Sequence, residues 1–153
     1  MKEIYIRPAV LADLPILQEF EQGIIAFERP YDETLKPDPI SYYDIKAMIE
    51  ATDTEVVVAI NNEEIVGSGY SNIRLADPYL KHAYFAYLGF MYVKPDYRGR
   101  GINKMIIDAL KVWTKSKNIT EMRLDVYSDN PAAIRAYEKA GFQRHLLNMR
   151  VEI

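Results

Sequence analysis

The feature that most constrains the fold is the change of hydrophobic pattern between residues 93 and 102. Residues 83–93 are apolar or aromatic at every position and contain no proline, which is typical of a strand covered on both faces. After Gly101, apolar residues recur at the spacing of one helix face, at Ile102, Ile106, Ala109, Leu110 and Trp113. The pattern therefore predicts a buried strand followed by an amphipathic helix that continues to about residue 117.

Two glycines and three cations occupy the junction between this strand and this helix. Gly99 and Gly101 allow several backbone N–H groups to converge at the positive end of the helix, and Arg98, Arg100 and Lys104 add positive charge. The combination favours a phosphate or pyrophosphate ligand, although a glycine pair is also typical of any tight strand-to-helix turn. A basic segment also suggests nucleic acid, but the net charge of −3 argues against that partner.

Composition narrows the possible classes of protein. A chain of 153 residues with 49% hydrophobic and 27% charged residues indicates one globular domain spanning 1–153. We expect a cytoplasmic protein, because there is no apolar run of about 18 residues and the first residues lack the apolar core of a signal peptide. The absence of cysteine excludes disulfides and thiolate catalysis. We also expect no metal site, because His82 and His145 lie far apart and without a ligand motif.

The remaining secondary structure follows from periodicity, caps and breakers. In chain order, the predicted elements are a strand at 3–7, a helix capped by Asp13, a proline-rich acidic loop at 28–39, a helix to residue 51 capped by Ser41 and Asp44, hairpin strands at 55–60 and 65–73, a strand at 121–127, a helix from Asn130 to 140 that Gly141 terminates, and a last strand at 142–153.

The predicted fold class is α/β with a mixed sheet, in the order β-α-α-β-β-β-α-β-α-β with helices on both faces. The strands at 83–93 and 121–127 should be parallel neighbours joined by a right-handed crossover. The glycine junction then lies at the carboxyl end of a parallel strand, where ligands bind in open sheets. Gly89 predicts a bulge or a close backbone approach, and a bulge would bend its strand away from the parallel neighbour.

Two segments resemble the GNAT superfamily of acetyl-CoA-dependent N-acetyltransferases. Arg98-Gly99-Arg100-Gly101-Ile102-Asn103 is similar to the main motif of that family, which is Arg or Gln, two residues, Gly, one residue, then Gly or Ala. Asn103 stands in place of the last small residue. Residues 130–142, which read NPAAIRAYEKAGF, are similar to the second motif of the family.

This resemblance implies acetyl-CoA as co-substrate, no metal, and a sheet whose parallel strands splay at the cofactor site. It implies that N–H groups of residues 98–104 hold the pyrophosphate, that backbone groups of Met91 and Val93 pair with the pantetheine arm, and that Tyr137 protonates the departing thiolate. Two of these residues also have a structural interpretation. Tyr137 has the helical spacing of a core residue, and Asn130 has the residue type and position of a helix N-cap. The implied cofactor-binding residues are Met91, Val93, Arg98, Gly99, Arg100, Gly101, Ile102, Asn103, Lys104, Asn130, Ala133 and Tyr137.

The general base that many family members place on the strand before the glycine loop is missing. No Asp or Glu occurs between Asp77 and Asp96, and the matching position is Tyr87. Tyr87, or Glu28 from the acidic loop, is therefore the candidate base or acceptor-side group; other candidates are Tyr84, His82, Asp32 and Glu33.

The sequence predicts transfer of acetyl to a primary amine of a small molecule or peptide by direct attack. The alternative is a non-catalytic coenzyme A-binding sensor or assembly module. The chain contains 12 tyrosines, which would suit an amphipathic amine acceptor or cover a homodimer interface.

Overall fold

The computed structural model describes residues 3–153, which contain five strands and four α-helices. Their bounds are β1 Tyr5–Pro8, α1 Leu14–Glu28, α2 Ile45–Glu50, β2 Thr54–Asn61, β3 Glu64–Leu75, β4 Tyr84–Val93, α3 Ile102–Ser116, β5 Met122–Arg123 and α4 Pro131–Lys139. Among these residues, no helix has the length and apolar character needed to cross a membrane.

The strands form one sheet in the order β1-β2-β3-β4-β5. The first four strands are antiparallel neighbours, whereas β4 and β5 pair in parallel, as predicted from the strand–helix–strand pattern. The β2–β3 connection is a two-residue hairpin in which Asn62 and Glu63 both have positive φ. That geometry is the primed turn that matches the right-handed twist of paired strands.

Helices cover both faces of the sheet, which confirms the predicted layers. Along β2, Val56, Val58 and Ile60 pack in one cluster with α1 and α2, whereas Val57 and Ala59 pack in a second cluster with α3. Successive side chains of a strand point to opposite faces. A continuous apolar strand such as β2 therefore packs its side chains into two hydrophobic cores, one on each face of the sheet.

A buried carboxylate positions the segment that leads into α2. Glu21, on the inner side of α1, is only 3% exposed. It accepts hydrogen bonds from the backbone N–H groups of Tyr42 at 3.0 Å and Tyr43 at 2.7 Å. The Ser41 hydroxyl also donates to Glu21, so the predicted cap of α2 by Ser41 is wrong. Asp44 alone caps α2, by accepting from the Ala47 N–H.

The last two predicted strands differ from the structure. The strand predicted at 121–127 is reduced to β5, and residues 142–153 form no strand. The physical reason is that a strand is defined by its hydrogen-bonded neighbour. Within the described residues, β5 has a neighbour on its β4 side alone, so a β-type pattern in these segments has nothing to pair with.

Candidate active site

A β-bulge interrupts β4 near its carboxyl end. Gly89 pairs with Tyr70 and Tyr92 pairs with Ser68, so Phe90 and Met91 together lie opposite one residue of β3. Phe90 has a φ of +56°, and its carbonyl accepts a 3.0 Å hydrogen bond from the buried Ser68 hydroxyl. A side chain at Gly89 would collide with the ring of Tyr70. Gly89 therefore permits a close approach, and the predicted bulge lies immediately after it.

The bulge reverses the direction in which backbone N–H groups point. Before it, the Ala86 N–H bonds to the Glu121 carbonyl beside β5; after it, the Lys94 N–H bonds to the Val66 carbonyl on β3. Because N–H groups alternate along a strand, those of Met91 and Val93 point to the β5 side. Pairing with β5 ends at Tyr87, so these two groups face the wedge between separating strands. The predicted splay is confirmed.

The loop after β4 presents backbone N–H donors that have no acceptor within the helix. Gly99 and Gly101 have φ values of +77° and +78°, and a Cβ built on either would meet no atom within 4 Å. The first helical hydrogen bond of α3 runs from the Met105 N–H to the Gly101 carbonyl. The N–H groups at the start of α3 consequently have no helical acceptor and lie at the positive end of the helix dipole. This arrangement fits a pyrophosphate.

The side chains of the loop contribute unequally. Ile102 is 1% exposed, so only its backbone is available. The Arg98 guanidinium donates to the Val93 carbonyl at 2.9 Å, Arg100 lies 5.1 Å from the centre of the Tyr97 ring, and Lys104 pairs with Asp108 at 2.7 Å. Positive charge therefore surrounds the loop, while the loop interior is lined by backbone.

A carboxylate that sequence reasoning missed lies beside Tyr87. The Tyr87 hydroxyl donates to Asp125 Oδ2 at 3.0 Å, and the Arg74 guanidinium lies 3.9 Å from the centre of the Tyr87 ring. Burial first, and then the charge of Asp125, raise the pKa of Tyr87. The parallel pairing of the two strands is the feature that could have located this carboxylate in the sequence. Tyr87 pairs with Arg123, and Asp125 follows Arg123 by two residues.

Glu28, at the end of α1, lies among tyrosines. Burial raises the pKa of Glu28, and the hydroxyl of Tyr42 opposes that rise. The carboxylate in turn raises the pKa values of Tyr42, Tyr43 and Tyr127, although burial is the larger cause in each case. The buried hydroxyl of Tyr42 makes no hydrogen bond of good geometry, but it is close enough to Glu28 for each group to perturb the pKa of the other. Glu28 thus lies close to several tyrosine side chains.

The other predicted acids and His82 have different surroundings. Asp32 accepts from the Thr34 backbone N–H at 2.9 Å, and Glu33 lies 3.8 Å from Arg150. His82 precedes the first residue of β4, at the opposite end of that strand from the bulge. None of the three forms a hydrogen bond with Tyr87 or Asp125, although Asp32 is close enough to Tyr127 to raise its pKa.

Helix α4 brings Tyr137 towards the same region. Asn130 caps α4 by accepting from the Ala133 N–H at 3.2 Å, which confirms the predicted N-cap. The Tyr137 ring packs edge-to-face on Phe142. Burial, with a smaller effect of the Glu28 charge, raises the pKa of Tyr137 to about 12. The Tyr137 hydroxyl therefore keeps its proton at neutral pH.

Comparisons with known proteins agree with this geometry. Residues 21–142 match the model of the acetyltransferase (GNAT) family. The chain is 34% identical over 128 residues to acetyltransferase SG1711 of Sodalis glossinidius, covering 82% of this chain and 81% of that protein.

Two solved structures share the fold. A predicted acetyltransferase with acetyl-CoA from Clostridium acetobutylicum superposes with a TM-score of 0.76 at 20% identity, covering 98% of this chain and 96% of that one. Aminoglycoside N-acetyltransferase AAC(6')-Iy in complex with CoA also gives 0.76, at 19% identity and 100% and 96% coverage. By its family match, its relatives and its fold, the chain belongs to the GNAT family of acetyltransferases, enzymes whose acetyl donor is acetyl-CoA.

Proposed function

We propose that this enzyme acetylates a primary amine of a small molecule or peptide, and that the amine attacks the acetyl thioester directly. The observation that carries the proposal is the Tyr87–Asp125 pair, which lies where β4 and β5 separate. A proton acceptor at the mouth of an acyl-binding wedge is what transfer to an amine requires.

Acetyl-CoA supplies the activated acetyl group. The N–H groups of residues 99–104 would bind its pyrophosphate, because they have no helical acceptor and lie at a helix N-terminus. The Arg98 N–H, predicted to join them, instead donates to the Pro95 carbonyl at 3.3 Å. The N–H groups of Met91 and Val93 would bind the pantetheine arm as a neighbouring strand does. Asn130 and Ala133 would border the arm from the start of α4.

The acceptor side is suited to a cation. An alkyl ammonium has a pKa near 10 and is almost wholly charged at neutral pH. Glu28 and Asp125 supply negative charge near Tyr43 and Tyr87. Burial first, and then Tyr70 and Glu28, raise the pKa of Tyr43, and the Tyr87 hydroxyl donates to Asp125. Tyrosine faces and carboxylates together attract amphipathic amines.

The same groups account for the proton that the ammonium must lose. Tyr87 accepts a proton from the ammonium at its hydroxyl oxygen while passing its own proton to Asp125, to which it is already hydrogen-bonded. The phenol stays neutral at rest, since its pKa is raised. Glu28 then serves as the acceptor-side anion, and Tyr87 with Asp125 as the base.

The leaving group needs a proton in turn. Tyr137 holds one at neutral pH and would donate it to the coenzyme A sulfur, while the Met91 N–H would polarise the acetyl carbonyl. The chain contains no cysteine, so no acetyl-cysteine can form on it, which favours direct attack.

The test is release of free thiol from acetyl-CoA in the presence of an amine panel, with mass spectrometry of the product. Aminoglycosides come first because of the structural similarity to AAC(6')-Iy, followed by polyamines, amino acids and peptides; a matched alcohol is the control. We expect saturable turnover with at least one amine. Coenzyme A binding by calorimetry without turnover on any amine would instead support a non-catalytic sensor.

A further inference from the structure

Arg74 is a cation beside the active site that the proposed reaction does not use. It lies on β3 in an exposed position, and its guanidinium lies 3.9 Å from the centre of the Tyr87 ring. Within residues 3–153, Arg74 takes part in no salt bridge. An arginine without a carboxylate partner keeps its charge available for an anionic group of a ligand.

Two interactions fix the plane of this guanidinium. Arg74 Nε donates to Asn72 Oδ1 at 2.9 Å, and Asn72 Nδ2 in turn donates to Thr54 Oγ1 at 2.8 Å. The Tyr87 ring covers one face of the guanidinium. The group still presents its two terminal nitrogens, which together match the two oxygens of a carboxylate. Arg74 is therefore pre-organised to bind a planar anion.

Arg74 also borders a cavity of about 220 Å³ on the face of the sheet that carries α1 and α2. Tyr43 and Tyr70 form part of the cavity wall. The Tyr43 ring lies 5.3 Å from that of Phe90 in the β4 bulge, and the Tyr70 ring lies 6.4 Å from that of Tyr87. The cavity therefore adjoins both the bulge and the proposed base.

A positive and a negative group lie on either part of the same tyrosine. Asp125 accepts from the Tyr87 hydroxyl at 3.0 Å, whereas Arg74 covers the ring of Tyr87. Burial raises the pKa of Tyr70, the charge of Arg74 lowers it and that of Asp125 raises it, so both charges also act on the neighbouring hydroxyl. This arrangement complements a ligand that carries an ammonium and a carboxylate close together.

We propose that the amine acceptor is a free α-amino acid whose carboxylate binds the two terminal nitrogens of Arg74. This inference rests on the proposed function, because it places the amine of the same molecule at Tyr87 and Asp125, where it loses its proton. The side chain of the amino acid would enter the cavity between Tyr43 and Tyr70. Arg74 is then a residue that determines specificity and takes no part in proton transfer.

A single carboxylate matches the charges of this region. The cavity wall also includes Asp44, which would repel a doubly charged phosphate more strongly than a singly charged carboxylate. A second arginine, Arg123, lies 5.3 Å from the centre of the Phe85 ring but is paired with Glu121 at 3.0 Å. Of these two guanidinium groups, that of Arg74 alone lacks a carboxylate partner within residues 3–153.

The first experiment measures binding without turnover. The protein is saturated with coenzyme A, which fills the anion-binding loop and carries no acetyl group, and each protein amino acid with a primary amine is titrated beside its α-amide by calorimetry. We expect at least one amino acid to bind roughly tenfold or more tightly than its amide. Arg74→Gln should remove that difference, and the matched control Arg123→Gln should keep it. Binding of no amino acid, or equal binding of every acid and its amide, would overturn the proposal.

The second experiment measures acetylation of the amino acid that binds best and of its α-amide. The ratio of kcat/KM for the acid to kcat/KM for the amide should fall roughly 10- to 100-fold in Arg74→Gln, because the lost contact is a charge-assisted hydrogen bond to the carboxylate. Arg74→Lys should keep part of the ratio and Arg123→Gln all of it. An equal loss for the acid and the amide would show that Arg74 acts by positioning Tyr87, and would overturn the proposal.

The two experiments separate this inference from the proposed function. Amino-acid binding that depends on Arg74, without acetylation of any amine, would overturn the proposed function but support the carboxylate site. Acetylation of aminoglycosides or polyamines in preference to every amino acid would support the proposed function and overturn this inference.

Discussion

The Tyr87 hydroxyl lies 3.0 Å from Asp125 Oδ2; Tyr87 is the last residue of β4 that pairs with β5, and Asp125 lies two residues beyond the end of β5. The strand β4 has no acidic residue, yet the segment that follows its parallel neighbour β5 supplies a carboxylate to the same place. A proton acceptor thus adjoins the wedge although its sequence position is 38 residues away from Tyr87.

Asp125→Asn should lower kcat by roughly 100-fold, because the amide cannot take the proton that Tyr87 passes on. The KM for acetyl-CoA should change little, since Asp125 lies on the acceptor side. Steady-state kinetics with the best amine check both values. Asp129→Asn, at an exposed position nearby, is the matched control, and equal losses in the two variants would exclude a specific role for Asp125.

Tyr137→Phe should reduce kcat by roughly 10- to 100-fold and leave the affinity for coenzyme A unchanged. The melting temperature should stay within a few degrees, because the ring that packs on Phe142 is retained. Calorimetry and thermal unfolding separate the two effects. Tyr5→Phe, at an exposed position, should have parent activity; unchanged kcat in Tyr137→Phe would mean that the residue is structural.

Gly101→Ala should weaken coenzyme A binding by at least tenfold. The added methyl meets no protein atom but stands where the anion would lie, and the left-handed backbone costs about 1–2 kcal/mol of folding stability. Gly141→Ala is the control, since Gly141 also has positive φ but follows α4. Both variants should lose similar stability by urea unfolding, and only Gly101→Ala should lose ligand affinity.

Glu21→Ala should reduce the free energy of unfolding by about 3 kcal/mol, because it leaves the buried N–H groups of Tyr42 and Tyr43 without an acceptor. It should also raise the KM for the amine, since Tyr43 lies on the proposed acceptor side with Glu28. Urea unfolding and kinetics measure the two effects. Glu19→Ala, at an exposed position of the same helix, should change neither quantity.

Asp13 should contribute to the acid sensitivity of the fold. Arg7 binds it through two hydrogen bonds of 2.8 and 3.1 Å, and these bonds lower the pKa of Asp13 below its ordinary value. A lowered folded-state pKa gives stability that is complete above the unfolded value and is lost as pH falls through the folded one.

Asp13→Asn should therefore destabilise the protein by about 1–3 kcal/mol at pH 7 and flatten the decline of stability below pH 4. Urea unfolding at pH 7, 5 and 3 checks both effects. Asp129→Asn is again the control. A parallel loss of stability in parent and Asp13→Asn between pH 5 and 3 would contradict the assignment.

Local patterns predicted most of the elements that position the cofactor. The glycine pair, the apolar stripe of α3 and the Asn130 cap depend on neighbouring residues, so the sequence contains their physical cause. Ser41 was wrongly assigned as part of the α2 cap because a residue 20 positions away, Glu21, competes for its hydroxyl. Rules that consider only neighbouring residues cannot detect such competition.

The sequence by itself determined the covered strand β4, the α3 helix, the anion-binding loop and the family. These follow from periodicity, glycine conformation and helix-end electrostatics, all of which act over a few residues. Only the tertiary structure decided where the proton acceptor lies and which strands have neighbours. Asp125 reaches Tyr87 through parallel pairing, and residues 142–153, despite their strand pattern, form no strand because a strand forms only against a partner.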